Sequence, residues 1–173
     1  MRGSTMRNVV VACGLLGSNA AQAGTIGGSH AFGLGIALGS PTAITGKVYL
    51  GGDYNALEFQ IGEGDYVGGY GDNIYAHLVY LWHPSVLTTA NNLEIPWHIG
   101  VGGAIWEGGY CAWYNDGGCF GGDLAFAVRV PVGLDFNLDD PRFQFFVDVV
   151  PMVVVVPGID IGIGAQIGAR YYF

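Results

Sequence analysis

The last fifteen residues of the chain alternate between two kinds of side chain. From Ile159 to Phe173 every odd position is apolar or aromatic, whereas the even positions are mostly glycine, polar or charged. A period of two places the two sets on opposite faces of a β-strand. Because ordinary globular strands have about five or six residues, this segment predicts an unusually long strand with one wholly apolar face.

The same alternation recurs along the chain and predicts an all-β fold. It is clearest again in the segment Leu124–Asn137, and turn-forming groups such as Gly39-Ser40-Pro41 separate the alternating segments. Residues 84–93 are expected to form an irregular connection with room for one helical turn. Eight strands are predicted in this way, at residues 29–38, 43–50, 55–62, 73–83, 94–106, 124–137, 143–156 and 159–173.

Three prolines fall inside predicted strands: Pro96, Pro131 and Pro151. Each removes one N–H from the hydrogen-bond ladder, so prolines are tolerated at strand ends and bulges rather than in regular strand interiors. We therefore expect the strands to be interrupted or bulged close to these positions.

The composition is too apolar for an ordinary soluble domain. The chain is 51% hydrophobic and 12% charged, compared with about 25% charged in soluble proteins. Its longest apolar run, Val149 to Pro157, is far shorter than the ~20 residues of a membrane-spanning helix. A closed barrel also satisfies every backbone hydrogen bond in lipid, so we predict an eight-stranded antiparallel up-and-down transmembrane β-barrel. The alternative, a soluble two-sheet sandwich, would have to solvate a polar face that is rich in glycine and alanine.

The N-terminus has the pattern of a secretory signal. Arg2 and Arg7 precede the apolar stretch Val9–Leu16, and Ala21-Gln22-Ala23 provides a small-x-small cleavage site. We expect residues 1–23 to be a signal peptide and 24–173 to be the barrel domain. A lipoprotein signal ending at Cys13 is the alternative, although only four apolar residues precede that cysteine.

The predicted inner face collects charges of both signs. Buried ions must pair or become neutral, and eight strands enclose little more than their own side chains, so we expect a salt-bridge network that closes the lumen. A gated ion path or a proton relay is the alternative, and fourteen acidic residues would make any conductance prefer cations. The network comprises Lys47, Glu58, Arg129, Asp135, Asp148, Asp160 and Arg170.

Two histidines, His77 and His98, are predicted to point into the lumen from neighbouring strands. Paired with Glu58 or Asp148, either could act as a general base in a lipid-modifying enzyme. The mature chain offers few serine hydroxyls, and none is evidently close, so we expect lumen histidines with hydrogen-bond partners, no catalytic residues and no cofactor. Only six basic residues occur in the whole chain, which argues against a nucleic-acid partner.

The longest predicted loop, 107–123, contains both cysteines of the mature chain, Cys111 and Cys119. In an exported protein two nearby cysteines favour a disulfide, and the loop lacks the further ligands of a metal site. Rigid aromatic side chains contribute contact area in binding surfaces, although they also anchor at lipid headgroups. The aromatic residues of this loop are Tyr110, Trp113, Tyr114 and Phe120.

The final strand, Ala165-x-Ile167-x-Ala169-x-Tyr171-x-Phe173, resembles the last strand of bacterial outer-membrane barrels. With the signal peptide and eight strands, the chain is similar to the small OmpA/OmpX-like barrels. Two segments, Val128-Arg129-Val130-Pro131-Val132-Gly133-Leu134 and Gly168-Ala169-Arg170-Tyr171-Tyr172-Phe173, resemble in particular a subset of these barrels without an assigned function. The resemblance implies an outer-membrane location, lipid as a partner, a monomer, and recognition of Tyr171 and Phe173 by the barrel-assembly machinery.

The resemblance also implies that both termini lie in the periplasm and that loop 107–123 is extracellular. Aromatic residues on the apolar face support this orientation, because their rings favour the headgroup level; they are Phe32, Trp82, Trp97, Phe136, Phe143, Tyr171 and Phe173. The function expected from the resemblance is a structural or surface-interaction role through extracellular loops. A narrow cation-preferring channel is the alternative, and a lipid A-modifying enzyme is a third.

Overall fold

The computed structural model describes residues 26–63, 74–107 and 124–173, together with the backbone at 110–111 and 119–120. Within these ranges no helix is long and apolar enough to cross a membrane. The strands are β1 (Phe32–Gly39), β2 (Thr42–Tyr49), β3 (Asn55–Glu63), β4 (Ile74–Ala90), β5 (Leu93–Trp106), β6 (Tyr110–Cys111), β7 (Cys119–Phe120), β8 (Ala125–Arg129), β9 (Val132–Leu138), β10 (Phe143–Val156) and β11 (Asp160–Tyr172).

The main sheet closes on itself. Each wall strand pairs antiparallel with its neighbours, and β1 pairs with β11 through partners such as Gly33 and Tyr172. Strands β8 and β9 share one place in the wall, between β5 and β10. The ring therefore has eight wall positions, and the predicted antiparallel up-and-down barrel is confirmed.

The segment predicted as one strand at 124–137 is divided at Val130 and Pro131. The N–H of Val130 donates to the carbonyl of Pro151 at 2.9 Å, and the N–H of Gly100 donates to the carbonyl of Pro131 at 2.9 Å. Pro131 and Pro151 thus lie near each other on neighbouring strands, at the step where β10 changes its partner from β9 to β8. Because each proline lacks an N–H, the ladder defects are gathered at one place in the wall.

The prediction of an irregular connection at residues 84–93 is wrong. Strand β4 continues to Ala90 and β5 begins at Leu93, so the hairpin turn contains only Asn91 and Asn92. Two shifts in register interrupt this pairing, and Pro96 lies between them opposite Val86. Such bulges place two residues opposite one and break the period of two, so alternation alone did not reveal the continuing strand.

The predicted strand at 29–38 begins late, at Phe32, because the preceding residues turn under the barrel. The N–H of Gly27 donates to the carbonyl of His30 at 3.0 Å, and the N–H of Tyr49 donates to the carbonyl of Ala31 at 2.8 Å. The turn buries Ile26, which is only 1% exposed, in an apolar cluster inside the barrel. This N-terminal turn therefore covers one end of the lumen.

Burial alternates residue by residue along the wall, most regularly in β10. Its outward residues Phe143, Phe145, Val147, Val149 and Val153 are exposed, whereas Gln144, Phe146, Asp148, Val150 and Met152 are buried. Contiguous apolar patches of more than a few hundred Å² are rare on soluble monomers. A continuous belt of exposed valine, isoleucine, leucine and phenylalanine around a closed ring is the surface that lipid requires.

Aromatic rings gather at the end of the barrel that holds the C-terminus. The ring of Phe32 stacks with that of Phe173 at 6.1 Å, and Tyr171 packs edge-on against Phe143 at 5.3 Å. We call this the turn end; it holds the short turns 50–54, 91–92 and 139–142. The opposite end, where β3 ends at Glu63 and β5 ends at Trp106, is called the loop end. Rings gathered at one level of the wall are the arrangement expected of an interfacial girdle.

Candidate functional site

The barrel interior is filled by side chains. Two apolar clusters lie inside it, one toward each end. The cluster toward the loop end comprises Tyr75, Ala104, Trp106, Ala125, Ala127, Met152 and Val154. The cluster toward the turn end comprises Ile26, Tyr49, Ala56, Val79, Leu81 and Tyr172. Among the described residues, the buried polar side chains are Thr45, Lys47, Glu58, Gln60, His77, His83, His98, Arg129, Asp135, Asn137, Gln144, Asp148, Asp160, Gln166 and Arg170.

Arg170 on β11 joins four strands through its guanidinium. It donates to Glu58 Oε2 on β3, to Thr45 Oγ1 on β2 at 2.8 Å, and to Gln144 Oε1 on β10 at 2.9 Å. The same group lies 3.9 Å from the ring centre of Phe146, a cation–π distance. A buried guanidinium with several donors in use is well compensated for its lost hydration.

Glu58 also links Arg170 to a second arginine. Its Oε1 lies 3.3 Å from His77 Nε2, and His77 Nδ1 lies 2.6 Å from Arg129 Nη1. Because a guanidinium only donates, His77 accepts at Nδ1 and donates at Nε2. Arg129 Nη1 also donates to the Tyr75 hydroxyl, whereas Arg129 Nε and Nη2 have no hydrogen-bond partner within the described ranges.

Five further side chains form what we call the Lys47 cluster. The Lys47 ammonium lies 2.5 Å from Asp135 Oδ2 and 2.9 Å from His83 Nε2. His98 lies between two carboxylates, with Nε2 2.9 Å from Asp148 Oδ1 and Nδ1 3.4 Å from Asp135 Oδ2. All five side chains are at most 5% exposed, so the cluster is shielded from bulk water.

The seven residues predicted to form the lumen network are all buried, and they do not form one continuous group. Glu58, Arg129 and Arg170 belong to the first set of contacts, whereas Lys47, Asp135 and Asp148 belong to the Lys47 cluster. Asp160 is buried at the start of β11, opposite Val154 near the loop end.

His83 was missed by the sequence analysis. It lies on β4 with the same parity as His77, so extending the alternation to the last residue of the predicted strand would have identified it. The two predicted histidines, His77 and His98, contact different carboxylates, Glu58 and Asp148 respectively. Both pairs lie in the filled interior rather than in an open cleft.

The backbone of the long loop brings its two cysteines together. Strands β6 and β7 pair antiparallel, and Cys111 is the direct partner of Cys119. The side chains at 110–111 and 119–120, and the whole of Trp113 and Tyr114, lie outside the described residues. The disulfide and the aromatic binding surface therefore remain predictions, as does the signal peptide at 1–23.

The C-terminal residue takes part in closing the barrel. The N–H of Phe173 donates to the carbonyl of Phe32 at 3.0 Å. The Tyr171 hydroxyl accepts from Arg142 Nη2 at 3.3 Å, and Arg142 Nη1 lies 2.8 Å from the ring of His30. The last strand is thus tied to both β1 and the N-terminal turn.

No protein-family model matches the chain, and no curated protein is significantly similar to it in sequence. A solved structure that resembles it is the N-terminal β-barrel domain of Pseudomonas aeruginosa OprF, with a TM-score of 0.56 and 13% sequence identity. The alignment covers 86% of this chain and 100% of that domain. The chain has the fold of the small OmpA-type barrels. At this identity the likeness concerns the fold of the OmpA-type barrel and no individual site residue.

Proposed function

We propose that this protein is an integral outer-membrane barrel with a closed lumen, and that its biological contacts are made by the segments at its loop end. The observation that carries the proposal is the filled interior: apolar side chains toward both ends, and a buried network of ion pairs inside the same barrel. The apolar outer wall and the fold shared with the OprF barrel domain support the membrane location.

The dimensions of the barrel favour a role outside the lumen. Eight strands leave an interior just wide enough for side chains. Arg170 connects β2, β3 and β10 across that interior, so a solute path would require breaking buried ion pairs, each of which is costly to separate. A fixed scaffold of this kind suits the display of loops on a membrane surface.

In the proposed orientation the turn end faces the periplasm and the loop end faces the exterior. The turn end has short turns, as periplasmic connections of outer-membrane barrels do, and the longer connections lie at the other end. The most distinctive of these is 107–123, which contains both cysteines and four aromatic residues. We propose that this segment contacts a ligand or a neighbouring surface.

The contact role is tested by replacing residues 112–118 with a glycine-serine linker of equal length. Cells displaying the wild-type chain should bind a test panel of surfaces, namely lipopolysaccharide, extracellular-matrix protein and epithelial cells, more strongly than cells displaying the replacement. The same replacement of residues 65–71 is the matched control. Equal binding by all three chains would contradict the contact role.

The closed lumen is tested separately in planar bilayers. We expect reconstituted protein to show no steady conductance, because side chains fill the interior and a solute path would require separating buried ion pairs. Sustained cation-selective conductance would instead favour the narrow-channel alternative. A lipid A mass change that depends on His77 and His98 would favour the lipid-modifying enzyme.

A further inference from the structure

We propose that His83, His98 and Asp135 form a binding site for one divalent transition-metal ion of the zinc class, and that the Lys47 ammonium occupies this site as a competing cation. The three residues come from β4, β5 and β9, and each is buried. One ligand atom from each residue lies within 4.8 Å of the others. Two imidazoles and a carboxylate are a donor set typical of zinc and related ions.

The His83 ring is oriented for binding a cation through Nε2. Its Nδ1 lies 3.2 Å from the backbone carbonyl of Tyr54, which can only accept a hydrogen bond, so Nδ1 carries the hydrogen. Its Nε2 then has a lone pair, and it faces Asp135 Oδ2 at 3.1 Å. A lone pair and a carboxylate oxygen repel each other unless a cation lies beside both. The Lys47 ammonium is that cation, because it contacts both His83 Nε2 and Asp135 Oδ2.

The His98 ring has the corresponding arrangement with its nitrogens exchanged. Nε2 is 2.9 Å from Asp148 Oδ1, and a carboxylate only accepts, so Nε2 carries a hydrogen. Nδ1 faces Asp135 and has no hydrogen-bond partner among the described residues, and the same holds for Asp135 Oδ1. Both atoms are buried, so His98 and Asp135 each have hydrogen-bonding capacity that the described contacts do not use.

Both histidines have the outer partners that metal-binding histidines need. A ligating imidazole nearly always donates its other N–H to a carboxylate or a backbone carbonyl, which holds the ring in position. Asp148 serves His98 in this way, and the Tyr54 carbonyl serves His83. Asp148 is itself held by Gln166, whose Nε2 donates to Oδ2 at 2.8 Å.

Charge balance explains why Lys47 and a metal ion would exclude each other. Asp135 and Asp148 contribute two negative charges, which the Lys47 ammonium and a protonated His98 ring between the two carboxylates neutralise. A metal ion would replace both the ammonium and the proton on His98 Nδ1. A divalent ion bound by neutral imidazoles neutralises both, whereas a divalent ion together with Lys47 leaves an excess positive charge in a buried site. The cluster thus fits either cation, and removing the lysine charge should make the metal the preferred occupant.

The test compares the wild-type chain with Lys47→Met, which keeps an unbranched side chain without the charge. Both are refolded in detergent with Co²⁺ present, because the closed interior shields the cluster after folding. We expect Lys47→Met to bind one Co²⁺ per chain, with the visible absorption bands of a low-coordinate ion, and the wild type to bind far less. Adding His98→Ala to Lys47→Met should abolish the bands, and adding Asp148→Asn should weaken binding about 10- to 100-fold.

Folding is monitored by the heat-dependent shift of the unboiled protein on a gel. If Lys47→Met does not refold, Lys47→Gln, which keeps an N–H donor toward Asp135, replaces it. A second readout is the unfolding temperature, which Zn²⁺ should raise in the lysine variant and not in its His98→Ala derivative. The proposal is overturned if the folded lysine variant binds no more Co²⁺ than the derivative without His98, or if the wild type binds it equally well.

Discussion

The Lys47 ammonium lies 2.5 Å from Asp135 Oδ2, and neither side chain has any exposed surface. The two residues are 88 positions apart in the sequence, and they lie on β2 and β9, which are not neighbours in the wall. Their ion pair therefore crosses the interior rather than following the ladder. This contact joins strands that the sheet hydrogen bonds do not join directly.

Asp135→Ala should strongly destabilise the barrel, because it leaves the buried Lys47 ammonium without its carboxylate. Removing one partner of a buried ion pair typically lowers the free energy of unfolding by about 3–5 kcal/mol. Urea unfolding in detergent, followed by the gel shift of the folded form, measures the loss. Arg142→Gln, at the partly exposed turn end, is the control and should change stability by less than about 1 kcal/mol. Equal losses would contradict a special role for the interior pair.

Arg170 and Glu58 should show strong energetic coupling in a double-mutant cycle. Arg170→Met and Glu58→Gln each break the pair, so the second change should cost less free energy once the first has been made. Coupling between contacting residues is commonly about 0.5–3 kcal/mol, and we expect the upper half of that range for this buried pair. Additive effects of the two substitutions in urea unfolding would show that the pair contributes nothing specific.

Gly133→Ala should destabilise the chain at the His98–Asp148 hydrogen bond and at the neighbouring backbone of β10. A Cβ at Gly133 would overlap Asp148 Oδ1 and the backbone carbonyl oxygen of Val147 and lie 2.9 Å from His98 Nε2, so both the pair and the strand backbone would have to shift. Gly162→Ala is the matched control in a strand, because its nearest neighbour is the flexible side chain of Met152 at 3.2 Å. Thermal unfolding should distinguish the two variants, and a larger loss for the Gly162 variant would refute the argument.

Lysine substitutions on the outer face should report the depth of each position in the membrane. Val149 is outward-facing in the middle of β10, whereas Leu87 lies at the second register shift of the β4–β5 hairpin, closer to the turn end. Val149→Lys should cost about 2–4 kcal/mol and Leu87→Lys about 0–1 kcal/mol, the values typical of the bilayer centre and its edge. Unfolding from lipid vesicles measures both. Equal costs would place the hairpin inside the bilayer.

The two cysteines of the long loop should be joined when the protein is isolated from the envelope. Their backbones are direct partners in the β6–β7 pair, and export favours oxidation. Intact-mass measurement after alkylation should show no modified cysteine before reduction and two after it. Alkylation of both residues without reductant would disprove the disulfide.

Most of the wall could be predicted from the sequence because burial on one face forces a period of two. The long alternation of β11 and β10 is visible in the residue order itself, and eight such segments suffice for a closed barrel. The prediction failed at residues 84–93 because bulges break the period there. Beyond those bulges the residues of β4 are mostly exposed, so no buried face imposes alternation.

The sequence by itself determined which residues face inward, since the parity of each strand decides that without knowledge of its neighbours. Only the tertiary structure decided which inward residues meet. Lys47 could have paired with Glu58, its direct neighbour in register on β3, yet it contacts Asp135 across the lumen. Ring closure and the stagger of the strands determine how far along the barrel axis each side chain lies, and so which side chains of non-adjacent strands are at the same height. Those heights determine that Arg170 lies beside Glu58 and that His83 joins the Lys47 cluster.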